Sequence, residues 1–148
     1  PDGSVEHVAD LLEEKGFCCG VMPSYFLLKA AGAGHYEGVY RLLTNEGEHG
    51  WVNMLREGAT TCFEAWGKDQ KWNTSLCHPW ATAPVSIVIE ELAGIHPDPG
   101  EEKGFRFEPH IPDSVGQFHL TVPYGGKRYQ VVKEEGDDRT LLCILPEP

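Results

Sequence analysis

Basic residues are scarce in this chain: 12 Lys and Arg stand against 23 Asp and Glu, a formal net charge of −11. Binding a nucleic-acid backbone relies on clustered Lys and Arg, so no nucleic-acid partner is expected. Long apolar runs are missing as well. None reaches the roughly 18 residues that a membrane span requires, and no membrane partner is expected either. Cysteine is sparse and forms no framework. Cys18, Cys19, Cys62, Cys77 and Cys143 are odd in number, irregular in spacing, and read as reduced, mostly buried thiols. The adjacent pair Cys18-Cys19 lacks the two-residue gap that zinc chelation prefers. The histidines, at 7, 35, 49, 78, 96, 110 and 119, include no i, i+4 pair and no HExxH, so no metal is expected. Gly32-Ala33-Gly34 has neither the phosphate-loop motif nor a preceding strand, and no G-x-S-x-G elbow is present. No cofactor follows from any of these patterns. An initiating methionine and a signal-peptide h-region are also lacking, and the sequence reads as a processed or excised piece.

What is present fits a globular protein: 148 residues, 41% hydrophobic and 24% charged, enough for one ordinary domain or two small ones. The chain changes character near residue 95. Before it, helical patterning dominates. Ser4 is placed to cap a helix carrying Val5, Val8, Leu11 and Leu12 that stops at Lys15-Gly16. After a turn at Met22-Pro23, a second helix is predicted from Ser24 through Tyr25, Leu27, Leu28 and Ala31. A third carries Tyr36, Val39, Tyr40, Leu42 and Leu43, a short one covers Trp51 to Arg56, and a last one runs from Pro84 to Ala93. Short Gly-containing connections make these αα-hairpins, compatible with a bundle, a solenoid or an α/α toroid. From Phe105 the period becomes two: Phe105 and Phe107, then Phe118, Leu120 and Val122, then Tyr129 and Val131, then Leu142 and Ile144. Gly125-Gly126 and Gly136-Asp137-Asp138 fall where hairpin turns belong. Three or four antiparallel strands make at most half a β-sandwich, so the sheet needs a partner. The Pro-, Gly- and charge-rich segment 97–104 reads as a linker. The fold class expected is therefore α+β, helices first and an antiparallel sheet after.

Chemistry concentrates between Gly50 and Trp80. This stretch holds all four tryptophans, Trp51, Trp66, Trp72 and Trp80, together with Glu64, His78 and the polar loop 68–75. Aromatic faces suit the C–H face of a pyranose, while Asn, His, Glu and Asp suit its hydroxyls; the same tryptophans are equally able to pack helix ends. Glu64 sits between Phe63 and Trp66, where a buried carboxylate is costly unless paired. It reads either as a structural carboxylate, paired with Arg56 or Lys68 or capping a helix that starts near Phe63, or as a general base held ionised by Thr60, Thr61 and backbone amides against its apolar neighbours. His78, between Cys77 and Pro79, reads as a core histidine or a ligand contact. Asn73-Thr74-Ser75 matches a glycosylation sequon and is taken as a chance match.

The run Gly58-Ala59-Thr60-Thr61-x-Phe63-Glu64-x-Trp66 resembles the GATT-x-WE-x-W signature of bacterial α-L-rhamnosidases of glycoside hydrolase family 78. Ser75-Leu76-Cys77-His78-Pro79-Trp80 is similar to the family's S-x-N-H-x segment, and Leu92-Ala93-Gly94-Ile95-x-Pro97 to its L-x-G-I-x-P ending. Phe105-Arg106-Phe107-Glu108-Pro109 resembles the start of the family's C-terminal β-sandwich, and Tyr40-Arg41-Leu42-Leu43-Thr44 has a counterpart in its penultimate helices. The motifs come in the family's order and span nearly the whole chain. Two positions depart from the pattern: Phe63 stands where the family usually has Trp, and Cys77 where it has Asn.

The resemblance implies that residues 1–94 are the last helices of an (α/α)6 toroid and that 95–148 begin a β-sandwich. It implies hydrolysis of terminal α-L-rhamnose with inversion, from a rhamnose-containing glycoside or polysaccharide. Glu64 takes the position of the general base, His78 that of a sugar contact, and Trp66, Trp51 and Trp80 those of pocket residues. The general acid is implied to lie upstream of Pro1, so the piece is expected to be inactive alone and to self-associate through exposed helix faces. A toroid hydrolase of other sugar specificity and a non-catalytic carbohydrate-binding module remain as competing readings.

Overall fold

A computed structural model describes residues 3–146; Pro1 and Asp2, and with them the chain start discussed above, lie outside the described residues, as does the side chain of Val5. The chain divides into two compact units, Pro1–Ile87 and Val88–Pro148. The first is helical. Helix α1 (Ser4–Lys15) buries Ala9 and Leu12; its last i→i−4 bond runs from Gly16 N–H to the Leu12 carbonyl at 2.9 Å, and Gly16, with φ 63°, then turns the chain out of the helix. Ser4 is not its cap. The first turn closes from His7 N–H onto the Gly3 carbonyl (3.1 Å), so Gly3, in the left-handed region, is the capping residue and Ser4 already lies inside the helix.

Helix α2 (Val21–Ala31) begins three residues earlier than Ser24. Pro23 does not block this, because its missing N–H falls in the first turn, where no intrahelical acceptor exists. Val21, Ser24, Leu28 and Ala31 form its buried stripe, and the Ser24 hydroxyl donates to the Val21 carbonyl inside the helix. Helix α3 (Tyr36–Leu43) buries Gly38, Val39 and Leu42, and α4 (Trp51–Arg56) buries Trp51 and Met54. A 3-10 turn, Pro79–Ala81, leads into the short α5 (Ala83–Ile87). The predicted helix over 84–93 is thus broken: α5 ends at Ile87, and Val88–Leu92 is a π-helical turn closed by Ala93 N–H to the Val88 carbonyl at 2.8 Å.

That π-turn opens the second unit, which is otherwise two small antiparallel sheets. Strands β1 (Ile95–Pro97) and β2 (Phe105–Phe107) pair with Ile95 opposite Phe107. The segment read as a linker is the loop of this ribbon, held by Asp98 N–H to the Gly104 carbonyl (2.9 Å) and Gly104 N–H to the Glu101 carbonyl (2.8 Å). Strands β3 (Phe118–Tyr124), β4 (Lys127–Lys133) and β5 (Leu141–Leu145) form the second sheet in that order. The β3–β4 hairpin turns at Gly125-Gly126, both with positive φ (57° and 76°), the pairing that matches strand twist. The two sheets share one apolar core of Ala93, Ile95, Phe105, Val122, Tyr129 and Val131, with the Phe105 ring edge-on to Tyr124 and Tyr129. The ribbon is therefore part of the partner that the three-stranded sheet needed. Ile144, part of the period-two pattern, is exposed on the outer strand β5.

Candidate active site

The candidate residues gather where α4 ends. Gly58, with φ 80°, terminates it: Gly58 N–H bonds the Leu55 carbonyl and Ala59 N–H the Met54 carbonyl, both at 2.9 Å. This double closure requires a left-handed residue after the helix, which gives the glycine of Gly58-Ala59-Thr60-Thr61 a physical reason. The chain then runs extended alongside residues 75–78. Glu64 N–H bonds the Ser75 carbonyl (2.8 Å), His78 N–H bonds the Cys62 carbonyl (2.9 Å), and the Thr61 hydroxyl bonds the Leu76 carbonyl (2.5 Å). Glu64 and His78 are thereby brought onto neighbouring strands of chain although fourteen positions apart.

The setting of Glu64 resolves into two sides. Phe63 and Trp66 are buried, the Phe63 N–H pointing at the Met54 sulfur at 3.4 Å. Between them the Glu64 side chain turns outward and stays 17% exposed. One oxygen, Oε1, meets the Lys71 ammonium at 2.5 Å; the other, Oε2, accepts the Ser75 N–H at 3.1 Å. The Lys71 hydrogen bond, then the Ser75 amide, lower the Glu64 pKa below the usual carboxylate value; partial desolvation opposes them, while the charges of Lys71 and His78 add to the lowering. The group is an ionised carboxylate at neutral pH.

A backbone amide is among its partners, as expected, but the cation is not one of the two expected. Arg56 is committed to the carboxylate and carbonyl of Glu46. Lys68 is committed to Glu57: its N–H bonds Glu57 Oε2 at 2.7 Å and its ammonium reaches the Glu57 carbonyl. Thr61 is turned to Leu76. Lys71 carries no sequence signal beyond a place in a polar loop; only the return of that loop, through Thr74 N–H and hydroxyl bonds to the Lys71 carbonyl, brings it to Glu64.

The tryptophans separate into two groups. Trp66 is 2% exposed, stacked on Phe17 (5.1 Å, 16°) and edge-on to Trp51 (4.9 Å, 84°), with its N–H donated to the Cys19 carbonyl at 2.7 Å. Trp51 is buried beside it and donates to the Ala81 carbonyl at 2.9 Å. Both indoles are core groups behind the site, with their N–H donors already used. Trp80 is 50% exposed and lies against the half-buried His78 ring, centroids 4.0 Å apart. Trp72, not among the expected pocket residues, is 95% exposed, one residue from Lys71. The surface group is therefore Glu64, Lys71, His78 and Trp80.

The cysteines are free, as expected, but not mostly buried: Cys18, Cys77 and Cys143 are exposed, and Cys19 and Cys62 partly so. Adjacent apolar residues in sequence mislead here: Phe17 beside Cys18 is buried while the thiol is not, and Leu76 beside Cys77 and Ile144 beside Cys143 are themselves exposed. Among the described residues, no group of three His, Cys, Asp or Glu side chains is arranged to hold a metal ion, and no helix is long and apolar enough to cross a membrane. A cavity of about 600 Å³ lies elsewhere in the helical unit, lined by residues including Leu12, Lys15, Arg41, Asn45 and His49 and by none of the candidate residues.

Residues 4–92 match the family model of the bacterial alpha-L-rhamnosidase 6 hairpin glycosidase domain. No curated protein and no solved structure matches the chain.

Proposed function

The chain belongs to the bacterial alpha-L-rhamnosidase six-hairpin glycosidase family, and from that premise we propose that Glu64 is the general base of an inverting hydrolysis releasing terminal α-L-rhamnose. The observation that carries the reading is the state of Glu64. It is ionised, mostly withdrawn from water, and still has an exposed edge, with one lone-pair site on each oxygen beyond those used by Lys71 and Ser75. A carboxylate in this condition can take a proton from a water attacking the anomeric carbon. The half-buried His78 donates to a sugar hydroxyl, and the exposed half of Trp80 offers a ring face to the pyranose.

Inversion requires a second carboxyl roughly 6.5–9.5 Å from the first, to protonate the leaving oxygen. The charged groups acting on Glu64 among the described residues are Lys71 and His78, and neither is a carboxylic acid. The acid is proposed to come from hairpins completing the domain, so that residues 1–94 are the last part of an (α/α)6 toroid, 95–148 begin a β-sandwich, and the chain alone does not turn over rhamnosides. Phe26, Leu55 and Val85, exposed on the helical unit, supply apolar surface for those hairpins or for self-association. The test is Glu64→Gln in a protein carrying the complete six-hairpin domain, assayed on an aryl α-L-rhamnoside. Loss of turnover with retained binding supports the base; undiminished turnover removes it.

One observation favours a second reading. Trp72 and Trp80 are both open to solvent, as in a surface that binds sugar without cleaving it. Calorimetry of this chain with L-rhamnose separates the two: saturable binding here, with no turnover by the complete protein, supports a binding module.

A further inference from the structure

We propose that Lys71 is the positioning residue of Glu64, fixing carboxylate oxygen Oε1 while the Ser75 amide fixes Oε2. The inference rests on the reading of Glu64 as the base and goes beyond it by naming what holds the base in place. Three cations lie close in sequence, and the structure distinguishes them. Arg56 serves Glu46 and Lys68 serves Glu57, whereas Lys71 reaches Glu64. The loop is shaped for this. Gly67 accepts the Gln70 N–H at 3.4 Å, and the Lys71 carbonyl accepts the Thr74 N–H (3.2 Å) and hydroxyl (2.8 Å). The chain thus reverses at residues 71–74 and returns Ser75 to Glu64, so the loop closes on the carboxylate from both of its ends.

The pair does not read as a folding device. Lys71 is 42% exposed, and ion pairs open to solvent to that degree add little to stability. What the contact does is directional. A carboxylate with a donor on each oxygen cannot rotate, and its two remaining lone-pair sites then face fixed directions. A base must present a lone pair to one water at one angle, and displacement by about 1 Å costs a reaction as much as about 10²-fold. Among the described residues the charged groups acting on Glu64 are Lys71 and His78, both of which favour the ionised form when protonated, together with the Ser75 amide dipole. Lys71 is the largest influence lowering the Glu64 pKa, so its removal returns the carboxyl toward its ordinary value, with the Ser75 amide still offsetting partial desolvation.

The experiment compares Lys71→Met and Lys71→Arg. In this chain, carbon-detected NMR follows the Glu64 carboxyl through a pH titration. Lys71→Met is expected to move its midpoint to higher pH, and Lys71→Arg to return it toward wild type. In the complete six-hairpin protein, Lys71→Met is expected to lower kcat by up to about 10²-fold, to move the acid limb of the kcat/KM profile to higher pH, and to leave KM nearly unchanged, with Arg restoring the profile. A Glu64 titration indifferent to Lys71→Met overturns the proposal. So does an unchanged rate profile in that variant when Glu64→Gln is inactive. If Glu64→Gln is fully active while the carboxyl midpoint still follows Lys71, the base reading has failed and Lys71 remains only the partner of a structural carboxylate.

Discussion

Truncating Trp66 to alanine is expected to unfold much of the helical unit, and the size of the effect follows from its surroundings. The indole is almost fully buried, lies between Phe17 and Trp51, and spends its N–H on the Cys19 carbonyl. Core Trp→Ala changes cost about 3–5 kcal/mol, and a carbonyl that loses its donor adds about 1 kcal/mol where, as at partly exposed Cys19, water can replace part of the bond. The sum, about 4–6 kcal/mol, rivals the roughly 5–15 kcal/mol total stability of a typical domain. Trp66→Phe keeps an aromatic ring against Phe17 and loses the same hydrogen bond, for about 1 kcal/mol, plus a smaller cavity cost than alanine leaves. Urea unfolding followed by far-UV circular dichroism measures both, provided m is unchanged. In the complete protein, Trp66→Phe should leave KM for an aryl rhamnoside within about twofold, since uniform binding contacts are what a KM change reports. A Trp66→Phe variant as stable as wild type, but with KM raised tenfold, would refute the placement of this indole in the core and return it to the sugar.

Two further outcomes follow from the same geometry. Gly94 has φ 69°, and a Cβ there would stand 1.9 Å from the Glu108 carbonyl oxygen, backbone that cannot swing aside. Gly94→Ala should therefore cost the second unit about 1–2 kcal/mol of left-handed strain and about 1–3 kcal/mol of overpacking. Gly125→Ala, where a Cβ meets nothing within 4 Å, should show the strain alone, and equal losses in chemical denaturation would rule out the clash. Trp72→Phe should remove the component of tryptophan fluorescence most open to acrylamide, while stability changes by no more than about 0.5 kcal/mol. A protected Trp72 would show that the loop tip is covered.

The helices were legible where periodicity and a stop signal agreed, as at Lys15-Gly16 and from Tyr36 to Leu43. They were less so where backbone bonding outranked a side-chain preference. Gly3 is the cap in place of Ser4 because the first turn closes on its carbonyl, and Pro23, read as part of a turn, lies in the first turn of α2. Strand β1 was hidden because three residues are too few to show a period, so its loop to β2 read as a linker. The family was legible in the order of its motifs, and residues 4–92 match it. Glu64, His78 and Trp80, singled out in the sequence, lie on the surface, whereas Trp51 and Trp66, singled out with them, are core. Sequence proximity set Trp66 beside Glu64, yet the backbone turns the indole inward and the carboxylate outward. Lys71 was invisible for the same reason: seven positions of loop separate it from Glu64, and only tertiary closure makes the 2.5 Å contact.

The central claim is that the Glu64 carboxylate accepts the proton of the attacking water. It is tested most directly by kcat of Glu64→Gln in the complete six-hairpin protein on an aryl α-L-rhamnoside. Glutamine keeps the shape of the side chain and an oxygen for the Ser75 N–H, and loses only the half-exposed Lys71 pair, which adds little to stability, so the fold is preserved while the base is lost. A fall in kcat of about 10²–10⁴-fold with KM nearly unchanged is the predicted result. Wild-type kcat in that variant would contradict it.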